Sequence, residues 1–435
     1  MLIARSGQAP GNWQTAWQVV YNGNMQRDRR RAGWLRAFLW MHATGVACFY
    51  TMLWLRTRSQ GIPLRAGRTK PGQHLPSVSM IVAARNEEDN IRRCVTSLLE
   101  QDYPRYDVLI VDDDSTDGTA RILDELSRTH AHAARLHTLH LHALPTGWAG
   151  KPHALHVGVQ QVQGDLLLFT DADTWHAPQA LQTAVARMQE RQLDLLSLGT
   201  TQELPGFWER VMMPLAFLGI SMQYPISQVN DPRSPLALAN GQYILLRRVV
   251  YEQLGGYARP DLRATLVDDR DLAVLVKRSG YTLELADGRG LVHVRMYRSL
   301  HAIWRGWRKN VYLGSRGGLP FMLLQLLGLP MVTILPFLLP LWLCLARLVT
   351  DRRRNARRGE ALVISLLELG PLVAYRRWLD RELGVPWYLL LTHPLAGGLF
   401  ACILAQSTWR FLTGKGVDWR GRWYVQREQL SQSGR

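Results

Sequence analysis

GDLLLFTDADT, residues 164–174, decides the fold. Leu166 to Thr170 run without a charge and stop at Asp171-Ala172-Asp173, which reads as a buried strand ending at a polar crevice. Four further apolar runs flank it: VSMIVAA (78–84), YDVLIVDD (106–113), ARLHTLHLH (134–142) and LDLLSLG (193–199), alternating with helical stretches such as 90–100. This alternation predicts an α/β fold built on an open sheet of parallel strands. Ligands of such sheets sit beyond the carboxyl ends of the strands, where the acidic residues fall here.

Two residues apart in an extended segment, Asp171 and Asp173 would share a face and address one hard cation, Mg²⁺ or Mn²⁺. Such an ion would bridge a diphosphate and offset the charge that develops as it leaves. Capping of a helix starting near Pro178 is the competing use. In YDVLIVDDDSTDGT, Asp112 and Asp113 crowd like charges together, which is tolerated where hydrogen bonds to a nucleobase or ribose repay it. AARNEE (83–88) ends the first strand beside the same crevice. GWAGKPHAL (147–155) has proline at 145 and 152, where a phosphate-binding P-loop needs glycine and Ser or Thr, so a P-loop NTPase is excluded, although Lys151 can still reach a phosphate. No GxGxxG follows a strand, which removes a dinucleotide oxidoreductase. In LVDDRDLAVLVKRSGY, Asp268, Asp269 and Asp271 open a helix. Repulsion and partial burial would raise a carboxylate there toward general-base duty, while a simple match to the helix dipole is the plainer alternative. RMYRSLHAIWRGWRKN (295–310) mixes aromatic and basic residues at helical spacing, which suits a membrane interface, with some of its arginines available to a diphosphate. The histidines between His130 and His142 alternate with leucine as on a solvated strand face and receive no role.

The chain of 435 residues carries a net charge of +17 and 47% apolar residues, which excludes a disordered polymer. Lysine supplies only five of the 52 basic residues, and arginine suits phosphates and lipid headgroups alike. The four cysteines show no CxxC spacing, so neither a disulfide framework nor a structural zinc site is expected, and a reducing, cytosol-facing compartment fits.

Residues 37–55 are nineteen without formal charge, enough for a transmembrane helix. The preceding residues 1–36 form a basic segment in which Trp13, Trp17 and Tyr21 would share a helical face at a headgroup interface or against the protein. Residues 319–406 are expected to form C-terminal membrane helices, with 386–406 the best span and prolines breaking the earlier ones; 407–435 is a basic tail. Arginine clusters near 351–358 and in the tail argue for the cytoplasmic side.

AARNEE, VDDDSTDGT, GWAGKPHALHVG, FTDADT, TQELPGFWE, LANGQYILLRR, GGY and VDD, in that order, resemble membrane-bound family 2 glycosyltransferases of the GT-A fold. Within these, the chain is most similar to enzymes associated with carotenoid, chlorobactene-type or hopanoid lipid glycosylation, and RMYRSLHAIWRGWRKN and VDWRGRWY look like the same subgroup. The resemblance covers roughly 76–310 and implies a Rossmann-like nucleotide-diphospho-sugar transferase domain there, between N- and C-terminal transmembrane or interfacial helices. It implies a nucleotide-sugar donor, expected to carry UDP, a lipid acceptor, a membrane as partner and no nucleic acid. Carried over residue by residue, Asp112 and Asp113 contact base and ribose with Ala83, Arg85 and Glu87 nearby. Asp171 and Asp173 match the DxD metal site, with Lys151 and Asp171 beside the donor. Asp269 is the catalytic base in a pair with Asp268, where the family usually has Glu-Asp. Arg295, Arg298, Trp304, Trp307 and Arg308 are candidate diphosphate or acceptor contacts. The QxxRW motif of processive synthases is absent, which leaves the diphosphate clamp unassigned and disfavours the alternative of a polysaccharide synthase. The expectation is thus a metal-dependent inverting transfer to a lipid by a multi-pass protein of the cytoplasmic (inner) membrane whose catalytic domain faces the cytoplasm. A noncatalytic membrane-associated binding protein is the alternative from another class.

Overall fold

The computed structural model describes residues 13–57, 64, 75–314, 318–349, 356–419 and 421–424. Two compact units divide the chain: residues 1–51 with 335–374, and residues 52–334 with 375–435.

The larger unit is organised by a seven-stranded sheet. In chain order its strands are β1 (Val78–Ala84), β2 (Tyr106–Asp113), β3 (Leu136–Leu141), β4 (Leu166–Asp171), β6 (Leu195–Gly199), β8 (Ile244–Arg247) and β9 (Leu283–Asp287), laid side by side as β3-β2-β1-β4-β8-β6-β9. A second sheet joins β5 (Thr174–His176), β10 (Val292–Val294) and β7 (Thr201–Gln202), and a hairpin pairs β11 (Val417–Trp419) with β12 (Arg422–Tyr424). The apolar runs lack polar alternation because both faces of the main sheet are covered. Along β1, Val78, Met80 and Val82 enter one core with helices Ile91–Leu99, Thr119–Thr129 and Ala180–Arg191, while Ile81 enters the opposite core under helices Gly150–Gln160 and Asp268–Arg278. Gly158 permits that second approach, since a Cβ there would lie 2.7 Å from the Ile81 side chain.

One expectation needs correction. β8 runs antiparallel to both β4 and β6, so the sheet is mixed and not wholly parallel. The run ILLR is too short to disclose its direction, which is set by the chain returning through residues 207–243.

Register places the site. β1, β2 and β4 are parallel, with Ala84 opposite Asp112 and Ala83 opposite Asp171, so the acidic ends of β2 and β4 flank a small residue at one sheet edge. The two-apart argument for Asp171 and Asp173 does not hold as stated: β4 ends at Asp171, and Ala172 and Asp173 form the turn into β5.

Also in the larger unit, the amphipathic helix Leu300–Gly314 packs on helix His393–Leu412, with the Trp304 indole N–H donating to Gln406 (2.7 Å), Trp307 edge-on to Phe400 and the Ser407 hydroxyl donating to the Arg308 carbonyl (2.8 Å). In the smaller unit, Leu39 and Ala43 pack with Ile364, His42 Nδ1 lies 2.7 Å from Glu368 Oε1, and the Trp40 indole N–H donates to Glu360 (2.8 Å). Among the described residues, Gly33–Thr57 and Trp387–Arg410 are long and apolar enough to cross a membrane, and Gly318–Thr333 with Leu335–Leu345 pass the same test as a pair. The first contains the expected 37–55 and the second nearly all of 386–406. The side chains of Trp13, Trp17 and Tyr21 and the arginine cluster at 351–355 lie outside the described residues.

Leu168 in β4 is fully buried at the centre of the sheet. Leu168→Ala should cost about 2–5 kcal/mol through lost transfer energy and the cavity left behind, read as a lowered melting temperature of the detergent-solubilised protein; an unchanged value would contradict this placement of β4.

Candidate active site

At the end of β2, Asp112 and Asp113 are both buried but turn to different partners. Asp112 Oδ1 accepts the Ser115 amide (3.2 Å) and its Oδ2 lies 2.9 Å from His140 Nδ1, a cross-strand neighbour on β3. Asp113 is held by a guanidinium from the other end of the chain: Arg422 on β12 donates Nη2–H to Asp113 Oδ1 (3.0 Å) and Nη1–H to Oδ2. Two charge-assisted bonds on one carboxylate make the pair directional as well as strong. Arg85, just past β1, donates to the Asp113 carbonyl and reaches the Asp114 carboxylate at 3.3 Å. Asp114 itself takes a left-handed backbone (φ 59), which turns the chain sharply away from the crevice.

Lys151 joins this region to the other acids. It opens the second turn-proximal position of helix Gly150–Gln160, and its Nζ lies 2.7 Å from Asp171 Oδ1 and 3.2 Å from Asp268 Oδ2. The carboxylates of Asp171 and Asp268 therefore stand within two hydrogen-bond lengths of one another, although 97 residues separate them. Burial by itself would lower the Lys151 ammonium, yet Asp171, Asp268 and Asp269 raise it well above the usual lysine value, so it stays charged. Asp269 accepts the Gly241 amide (3.1 Å) and the Arg270 amide (2.8 Å), which fix its carboxylate. Burial, then the adjacent Asp268, push Asp269 up to about 6, with Lys151 pulling the other way. A bare Gly241 is required here, because a Cβ would stand 3.0 Å from Lys151 Nζ and 3.3 Å from Asp269 Oδ2.

Lys309, buried on helix Leu300–Gly314, adds a second amine: burial pulls it down to about 8, while Asp268, Asp269 and Asp171 favour its charged form. The Asp173 carbonyl accepts the Arg295 amide (3.4 Å), and Arg295 Nε lies 3.5 Å from Glu209, a buried carboxylate that also accepts the Gly206 amide at the start of helix Phe207–Gln223. This chain of contacts ties the Asp173 turn to the second sheet.

A hard divalent cation is commonly held by one or two carboxylates, with substrate phosphates and water supplying the remaining oxygens. Asp171 offers one such carboxylate at the crevice, and Asp173 lies two residues on in the turn. The Lys151 ammonium on Asp171 shows this carboxylate open to a cation from the crevice side. Among the described residues no group of three His, Cys, Asp or Glu side chains makes an all-protein cage.

Of the expected residues, Asp112, Asp113, Arg85, Lys151, Asp171, Asp268 and Asp269 share this crevice, with Ala83 between the strand ends. Glu87 is turned inward, accepting from Asn90 (2.9 Å) at the start of helix Ile91–Leu99. Arg298 bonds Asn90 Oδ1 (2.9 Å) and lies near Asp89, and Trp304 and Trp307 dock on the membrane-type helix instead of turning to the acids. Sequence reasoning passed over His140, Gly241, Lys309, Arg422 and Tyr424. For His140 the signal was present, since β2–β3 pairing puts it opposite Asp112; Arg422 lies in the VDWRGRWY segment that carries part of the resemblance, but nothing local points to a partner 309 residues away.

Residues 79–255 match the family model described as Glycosyl transferase family 2. The 4,4'-diaponeurosporenoate glycosyltransferase of Staphylococcus aureus (strain USA300) is 26% identical over 359 residues, 81% of this chain and 90% of that protein. Its namesake in Staphylococcus haemolyticus (strain JCSC1435) is 24% identical over 265 residues, 60% of this chain and 68% of that protein. Among solved structures, mannosyltransferase PcManGT from Pyrobaculum calidifontis, in complex with GDP-Man and Mn²⁺, aligns with a TM-score of 0.46 at 21% identity, covering 83% of this chain and 97% of that one.

Asp113→Asn removes the charge that holds the β11–β12 hairpin. A charge-assisted bond of this kind contributes about 1.5–3 kcal/mol, so tryptic cleavage after Lys415 should quicken by at least about tenfold where opening precedes cutting. An unchanged cleavage rate would show that the pair does not anchor the hairpin.

Proposed function

Because the chain is a glycosyltransferase carrying a family 2 domain of GT-A fold over residues 79–255, we propose that it moves a sugar from a nucleoside-diphosphate donor to a membrane lipid hydroxyl with inversion. The observation that carries this reading is Lys151 bound to both Asp171 and Asp268, which supports taking the strand-end acid and the Asp268–Asp269 pair as parts of one site.

In this reading the nucleoside lies at the ends of β1 and β2, where Asp112 and Asp113 accept from base or ribose, and Arg85 holds the turn that presents them. The sugar and diphosphate lie toward Lys151 and Asp171. Mg²⁺ or Mn²⁺ would be held by Asp171 and Asp173 and would supply electrostatic stabilisation of the departing diphosphate. Asp269, its carboxylate fixed by two backbone amides, takes the proton of the acceptor hydroxyl as the oxygen attacks the anomeric carbon. The C1–O bond to the nucleoside diphosphate breaks on the opposite face, and one displacement inverts the centre. A retaining mechanism by double displacement would need a carboxylate acting as a nucleophile on the sugar. Lys151 keeps Asp171 and Asp268 from repelling one another and holds a positive charge where the diphosphate arrives.

A lipid acceptor is supported by the membrane-type helix Trp387–Arg410, which packs directly on helices Leu300–Gly314 and Phe207–Gln223 of the catalytic unit, and by the exposed Phe207 at the start of the latter. The relatives named 4,4'-diaponeurosporenoate glycosyltransferase support a lipid-type acceptor. On this reading the protein sits in the cytoplasmic (inner) membrane with its catalytic domain on the cytoplasmic side, where nucleotide sugars are made.

The test is incubation of solubilised protein with a panel of nucleotide sugars and host lipid extract, with identification of any new glycolipid by mass; a soluble oligosaccharide or no product with any donor would overturn the reading. Asp269→Asn should lower kcat by about 10²–10⁴-fold with little change in donor affinity. In the wild type, kcat/KM should fall with unit slope below about pH 6, because Asp269 serves only when deprotonated and burial and Asp268 hold it up to about 6; a flat acid limb would remove Asp269 as base. EDTA should abolish transfer and Mn²⁺ or Mg²⁺ restore it, whereas Asp171→Ala and Asp173→Ala should each weaken cation binding by calorimetry in the presence of nucleoside diphosphate. Full activity in EDTA would exclude the cation.

A further inference from the structure

The clamp for the donor's diphosphate has no counterpart in the motif order, and QxxRW is missing. The hairpin that follows the last membrane-type helix supplies a candidate. Its Arg422 guanidinium is bidentate to Asp113, is largely shielded from solvent, and stands over the first residue of helix Gly150–Gln160: a Cβ at Gly150 would come 2.5 Å from Arg422 Nη1 and 2.6 Å from Asp113 Oδ2. The Tyr424 hydroxyl accepts the Gly150 amide N–H at 3.3 Å, so an oxygen from the hairpin already satisfies a donor that a phosphate oxygen would match. Beside this cluster His153 is nine-tenths buried, and its Nδ1 has no hydrogen-bond partner among the described residues. The next residue along the helix, Lys151, faces Asp171.

Gly150 joins the two groups: a Cβ there would meet both Arg422 and Asp113, and its chain neighbour Lys151 is bound to Asp171. In the donor orientation given above, Asp113 with Arg422 is at the nucleoside end and Lys151 with Asp171 at the sugar end. A nucleoside diphosphate stretched from the first to the second must carry its phosphates past Gly150. Resting on the donor orientation given above, we propose that Arg422 of the C-terminal hairpin is a donor-positioning residue that clamps the diphosphate, with Asp113 holding the guanidinium ready until the ribose takes its place. Arginine fits the task because its planar fork meets two phosphate oxygens at once, which a lysine cannot reproduce. Gly150 lacks a side chain because the fork needs that space. Gly421, with φ 77, makes the turn that delivers Arg422.

The experiment uses full-length protein in detergent. A panel of nucleoside diphosphates identifies the one that binds, by calorimetry, and its parent nucleoside is followed by saturation-transfer NMR. Arg422→Ala should weaken the diphosphate on the order of 10- to 100-fold, as loss of charge-assisted bonds does, and leave the nucleoside signal unchanged; Arg422→Lys should recover only part of the loss. Equal affinity of wild type and Arg422→Ala for the diphosphate would overturn the proposal. So would a parallel loss of the nucleoside, which would assign Arg422 to shaping the nucleoside site through Asp113. Asp113→Asn separates the two readings: weaker nucleoside binding in that variant with an unaffected Arg422→Ala leaves the donor orientation standing and removes only the clamp. Wild-type protein that binds no nucleoside diphosphate would remove both. A melting temperature within about 1 °C of wild type for Arg422→Ala excludes misfolding as the cause, since about 1 kcal/mol moves a unit of this size by about 1–2 °C.

Discussion

Negative charge gathered out of water must be balanced, and the active crevice is organised by that requirement. Asp112, Asp113, Asp171, Asp268 and Asp269 come from three places in the chain and meet at one sheet edge and one helix start. Two like charges about 4 Å apart at a protein surface repel by on the order of 4 kcal/mol, so this set would drive its own elements apart if left alone. Each acid instead has a named counterpart. Lys151 lies between Asp171 and Asp268, Arg422 on Asp113, His140 on Asp112, and two backbone amides on Asp269. The glycines at 150 and 241 exist because these cations and carboxylates approach the main chain more closely than a Cβ allows.

That balance is uneven, and the unevenness separates the roles. Asp268 carries an ammonium at 3.2 Å, whereas Asp269 is held by uncharged amides and lies beside Asp268. Burial first and the adjacent Asp268 second raise Asp269. Lys151 thus pairs with Asp268, while Asp269 is brought nearer to the pH at which a carboxylate can accept a proton.

Much of this was legible in the amino-acid order, for a definable reason. Buried strands announce themselves by uncharged runs, and the acids that end them, Asp112, Asp113 and Asp171, stand at the run boundaries, so spacing along the chain reports position in space. What stayed hidden depends on distance through space alone. The direction of β8 is not encoded in four apolar residues. The two-residue spacing reads Asp171 and Asp173 as one extended segment, whereas the strand stops at Asp171 and Asp173 lies in the turn that follows. Trp304 and Trp307 share a helix with Lys309, and only the packing on Phe400 and Gln406 shows which face is turned to the membrane-type helix and which to the acids.

Chain order also links a membrane-type helix to the crevice. The span Trp387–Arg410 is followed within a few residues by the hairpin that carries Arg422 and Tyr424. The same span packs on Leu300–Gly314, whose inner face carries Lys309 toward Asp268 and Asp269. One helix therefore packs on the element that carries Lys309 and leads into the hairpin that carries Arg422, so the placing of two cations beside the acids depends on it.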